Sequence, residues 1–116
     1  MILAVVFAST CIGQTHLVFY RLNLQEAEGF ARASIKIDGD KPTYKIASNR
    51  IWTVDVATGR HTIYGDRKQF LQTYEFENGR TYYFRLQFMT GTLRPGFRVI
   101  QVPEELGKSE SFGLKR

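Results

Sequence analysis

From Asn78 to Phe88 the chain reads Asn-Gly-Arg-Thr-Tyr-Tyr-Phe-Arg-Leu-Gln-Phe, and this alternation behind a turn dipeptide constrains the fold more than any other stretch. Successive side chains of a β-strand point to opposite faces, so Tyr82, Phe84, Leu86 and Phe88 share one face while Thr81, Tyr83, Arg85 and Gln87 share the other. Such a strand buries its first face and wets its second. Asn78-Gly79 suits a type I′ turn, whose two central residues need positive φ, so the strand ending at Glu77 is expected to pair antiparallel with the one starting at Arg80.

The same pattern recurs along the chain. Turn signals at Asp38-Gly39-Asp40, Ala47-Ser48-Asn49, Thr58-Gly59, Gly65-Asp66, Asn78-Gly79 and Gly91 to Gly96 cut it into short alternating segments. Strands are expected at 16–22, 32–37, 42–47, 50–56, 60–65, 70–77, 80–89 and 97–102. Ala33, Ile35 and Ile37 then share a face, as do Trp52, Val54 and Val56, and Phe70, Tyr74 and Phe76. These residues, with Val99 and the apolar face of 80–89, make the expected core, and Trp52 is expected to anchor it. Asn23 to Ala31 reads as a connection, and Pro103-Glu104-Glu105-Leu106 as a helix start, with Pro at the first position and acids in the first turn. The fold class that follows is all-β: a small antiparallel β-sandwich, immunoglobulin-like or transthyretin-like, of about seven or eight strands. The 116 residues suffice for one such domain, placed at 15–107, followed by a flexible basic tail at 108–116.

Met1 to Gln14 carry no charged side chain and centre on Ile2-Leu3-Ala4-Val5-Val6-Phe7-Ala8. The run is shorter than the roughly 20 apolar residues that span a bilayer but has the length of a signal-peptide core, so export to the periplasm, outer membrane or cell surface is expected. Cys11 is the only cysteine, which excludes an intramolecular disulfide. Two processing routes fit: Ala8-Ser9-Thr10-Cys11 is similar to a lipobox, making Cys11 a candidate lipidation site, and cleavage after Gln14 would remove it.

Chemistry is sparse. His16 and His61 have no neighbouring ligands at metal-site spacing, and Asp38-Gly39-Asp40 lacks the rest of a calcium loop, since Lys41 and Pro42 follow. The Gly-rich phosphate loops and the G-x-S-x-G elbow are missing too. No cofactor, metal or catalytic residue is assigned, and the expectation is a non-enzymatic binding or structural module. A ligand-binding surface lipoprotein is the alternative, and a small hydrolase would need Asp55, His61 and Glu75 to converge. The net charge of +5 is dispersed, and alternation sends most aromatic rings inward, so nucleic acid is not an expected partner. The outward residues Lys36, Lys45, Arg60, Tyr83 and Arg85 make the expected interaction surface, for an unknown protein or an anionic envelope component. Membrane attachment is expected only through a lipid on Cys11.

Four segments in order carry a family resemblance: Val18-Phe19-Tyr20-Arg21, Ala33-Ser34-Ile35-Lys36-Ile37-Asp38-Gly39, Gly59-Arg60-His61-Thr62-Ile63 and Gly79-Arg80-Thr81-Tyr82-Tyr83-Phe84-Arg85. Together they resemble the bacterial envelope domains known as domain of unknown function 2846, from about Leu17 to Glu105, with Thr58 where that family usually has Pro. More distantly, the Asp-Gly and Gly-x-His elements are similar to PEGA-type β domains. The resemblance implies a small exported β-sandwich, commonly a lipoprotein, and supplies no catalytic residues.

Overall fold

The computed structural model describes residues 13–22, 32–89 and 95–116. Cys11, most of the leader, the connection from Asn23 to Ala31 and most of the loop from Thr90 to Gly96 lie outside the described residues. The strands are β1 (Gln14–Arg21), β2 (Arg32–Ile37), β3 (Tyr44–Ala47), β4 (Arg50–Ala57), β5 (Gly59–Tyr64), β6 (Gln72–Phe76), β7 (Thr81–Met89) and β8 (Gly96–Val102), followed by a helix, α1 (Glu104–Ser111). They form two sheets, β4-β1-β7-β8 and β3-β2-β5-β6, packed face to face as a small all-β sandwich. Neighbours run antiparallel except β1 and β7, which are parallel.

Alternation decides which side chains meet between the sheets. Register sets Phe19 beside Trp52 and Phe84, and Leu86 beside Val99; Ala33, Ile35, Ile46, Ile63 and Phe76 face them from the second sheet. Phe84 is the centre: it stacks on Phe19 at 5.1 Å, and Tyr74 and Phe76 approach it edge-on at 5.2 and 6.1 Å. Trp52 does not occupy that centre. It is half-buried at the margin, stacked on Tyr44 of β3 at 4.4 Å, so it closes the side where the edge strands β3 and β4 meet.

The expected hairpin at Asn78-Gly79 is not formed, because β6 pairs with β5 and β7 with β1 and β8, in different sheets. Only Gly79 takes positive φ, at 77°, and the Arg80 N–H reaches back to the Glu77 carbonyl at 3.4 Å. That is the form of a type II turn, whose twist splays the flanking strands instead of pairing them. The start of β1 captures the turn: Gly79 N–H donates to the Gln14 carbonyl at 2.9 Å and the Thr15 hydroxyl to the Glu77 carbonyl at 2.8 Å. A second difference lies just upstream. Phe70 belongs to a 3₁₀ turn (Lys68–Phe70) and lies under the Arg98 guanidinium at 4.5 Å, so β6 begins only at Gln72.

Strand β1 is buried on both faces: Leu17 and Phe19 inside, Val18 and Tyr20 outside. The outer side is covered by α1. Gly107 rests directly on β7, where an added Cβ would lie 2.4 Å from the Tyr83 Cβ, so a glycine is needed for this approach. Where the sequence suggests a flexible tail at 108–116, Lys108 to Ser111 complete the helix and Lys115 then bridges to Arg50, accepting the Ile51 N–H at 2.8 Å. The extra chain thereby pairs the start of the β4 edge, where a free edge would offer unpaired N–H and C=O groups.

Candidate functional site

The five residues of the expected surface fall on two faces pointing away from each other. Tyr83 and Arg85 project from the outer side of β7, on the sheet that carries α1; Lys36, Lys45 and Arg60 project from β2, β3 and β5 on the other sheet. Tyr83 lies against Gly107, and Arg85 donates to both Glu110 oxygens at 2.9 and 3.0 Å. The helix therefore occupies the surface these two would present.

Among the described residues no helix lies over the opposite face. Its outward strand positions include four cations, Arg32, Lys36, Lys45 and Arg60, against one carboxylate, Glu75. Arg60 pairs with Glu75 across β5 and β6 at 2.6 Å, an exposed pair that contributes little to stability. Lys36 donates to the Gly65 carbonyl at 3.1 Å and lies 5.0 Å above the Tyr64 ring. Arg32 and Lys45 are exposed beside them. Tyr64, in turn, donates its hydroxyl to Asp40 at 2.8 Å.

Under α1 the decisive group is Glu110. It accepts the Tyr20 hydroxyl at 2.5 Å as well as Arg85, which fastens the helix to β1 and β7 together. Burial opposes its charge, but the hydrogen bonds from Tyr20 and Arg85 prevail and hold its carboxyl below the usual range. Burial, together with the Glu110 carboxylate, pushes the Tyr20 hydroxyl well above the ordinary tyrosine range, so it stays a donor.

The three groups a hydrolase would need do not converge, since each engages a different partner: Asp55 with His16, Glu75 with Arg60, and His61 with Asp38. Both ring nitrogens of His61 face acceptors, Nδ1 the Asp38 carboxylate at 2.5 Å and Nε2 the Ala57 carbonyl at 2.6 Å. Only the imidazolium can donate twice. Burial works against the charge, yet the two hydrogen bonds and the Asp38 carboxylate outweigh it and raise the pKa. A raised folded value means stabilisation that is complete below the ordinary 6.5 and lost as pH rises through the folded value. Denaturant unfolding across neutral to mildly alkaline pH should show that decline in the parent chain and a flatter profile in His61→Gln; equal slopes would overturn the assignment.

Two further groups were not apparent from the sequence. Asp66 accepts the Ser34 N–H at 3.1 Å and the Phe97 N–H at 2.7 Å, joining β2 to β8 across the sandwich. Arg21 is 1% exposed, donates to the Ile46 carbonyl at 3.1 Å and lies 4.3 Å over the Phe97 ring. The Gly65-Asp66 turn signal and the Tyr20-Arg21 pair were the only local hints of either. Among the described residues no group of three His, Cys, Asp or Glu is placed to hold a metal, and no helix is long and apolar enough to cross a membrane. The chain matches no protein-family model, no curated protein and no solved structure.

Proposed function

We propose that this chain is an exported, non-enzymatic binding module of the bacterial cell envelope that meets an anionic envelope component or an acidic protein with the outer face of the β3-β2-β5-β6 sheet. The observation that carries the reading is the asymmetry of the sandwich among the described residues: one outer face lies under α1, whereas the strands of the other present Arg32, Lys36, Lys45 and Arg60, with Glu75 on the strands and Asp40 at the Tyr64 hydroxyl as the carboxylates beside them. A sheet face with dispersed cations suits an extended polyanion better than a small molecule, which needs a concave site. The uncharged apolar leader and the resemblance to the domain of unknown function 2846 family support the envelope address.

Purified protein titrated with an anionic polysaccharide and with polyglutamate tests this. Binding to one of them should weaken with added salt, and Lys36→Glu with Lys45→Glu should lower affinity about tenfold, equivalent to about 1.4 kcal/mol. Salt-independent binding, or affinity unchanged in the double variant, would rule this face out.

A further inference from the structure

Phe112 is 88% exposed, while the other exposed large apolar side chains among the described residues, Tyr44 and Leu106, reach only 38% and 42%. It is not at a loose end. Before it stands Ser111, the buried last residue of α1; after it, Gly113 takes a φ of 86° and the Leu114 N–H bonds back to the Ser111 carbonyl at 3.1 Å. Beyond that, Lys115 is bridged to β4, and Arg116 donates to the Thr53 hydroxyl at 3.2 Å. The ring is thus held out into solvent by a turn fixed on both sides, so presenting it costs little further ordering.

The surrounding charges indicate what the ring meets. Glu110 is taken up by Tyr20 and Arg85, and Lys108 by Glu104 at 3.3 Å. That leaves exposed Lys115 and Arg116 against Glu105 near the turn, in a chain whose net charge is +5. One protruding ring among charged neighbours is far smaller than the roughly 800 Å² per partner that a stable protein interface takes. A bilayer interface needs no complementary pocket: it accepts an aromatic ring at headgroup depth and attracts basic residues when its lipids are anionic.

We infer that the Phe112 turn is a membrane-contact site, with the ring entering the interface of an anionic bilayer and Lys115 and Arg116 facing the lipid phosphates. The contact is separate from the basic sheet face and independent of the reading given for it. Co-sedimentation of the full chain with vesicles of phosphatidylcholine alone, or mixed with phosphatidylglycerol, tests it. The expected result is binding to the mixed vesicles only, about tenfold weaker in Phe112→Ser and in Lys115→Glu/Arg116→Glu, but unchanged in Lys36→Glu/Lys45→Glu. Circular dichroism checks that each variant is folded. Binding by Phe112→Ser equal to that of the parent chain, the absence of binding to mixed vesicles, or loss only in the Lys36/Lys45 variant would each overturn the inference. The last of these would transfer the vesicle contact to the sheet face, and polyanion binding tests that face on its own.

Discussion

Replacing Phe84 by alanine should lower the stability of the domain by about 3–5 kcal/mol, a large share of the roughly 5–15 kcal/mol that holds a domain of this size together. The side chain is completely buried, and three rings depend on its volume: Phe19 stacks on it, and Tyr74 and Phe76 pack edge-on from the opposite sheet. Truncation leaves a cavity between two sheets whose hydrogen-bonded ladders resist closing over it. Trp52→Ala provides the contrast. Tryptophan is the larger residue, but this one is half-buried at the margin against Tyr44, which itself is 38% exposed, so its loss should cost about 2 kcal/mol. Urea unfolding of both variants at neutral pH decides the ranking. If Trp52→Ala proved the more damaging, the centre of the core would lie at the β3–β4 side and not at Phe84.

Both halves of that comparison show what alternation along the chain can reveal. The period of two is local, so the strand expected at 32–37 matches Arg32–Ile37, and the inward set of 80–89 matches the buried side of β7. Which sheet a strand joins is not a local property. At Asn78-Gly79 the outcome depends on whether Asn78 takes positive φ, and Gln14 and Thr15, more than 60 residues away in sequence, hold the turn in the other form. Likewise, alternation correctly sends Tyr83 and Arg85 outward but says nothing about what lies over them. One sign of the cover was present in the sequence: Leu17-Val18-Phe19-Tyr20 is apolar or aromatic on both faces, as expected of a strand buried on both sides. The partner, Glu110, is 90 residues from Tyr20, too far for any spacing rule to connect them.

That partnership carries the second large effect. Glu110→Ala should cost about 2–3 kcal/mol, because it leaves the Tyr20 hydroxyl buried without its acceptor and the Arg85 guanidinium without its counter-charge. Tyr20→Phe, which removes only the hydroxyl, should cost about 1 kcal/mol. The effect has a pH signature of the opposite sense to that of His61. The folded pKa of Glu110 is depressed, so its contribution is present above the ordinary carboxylate value of 4.5 and is lost as pH falls through the folded value. Acid should therefore loosen α1 first. Amide hydrogen exchange in Glu104–Ser111, and at Ile51 where the tail pairs with β4, should accelerate in the parent chain at low pH and already at neutral pH in Glu110→Ala, while β2 and β5 remain protected. Uniform acceleration over both sheets would mean that α1 is an integral part of the sandwich instead of a cover held on by one carboxylate. Selective release would expose Tyr83 and Arg85, giving the sandwich a second basic, aromatic face, and added polyanion should then bind Glu110→Ala at a second, salt-sensitive site that the parent chain lacks.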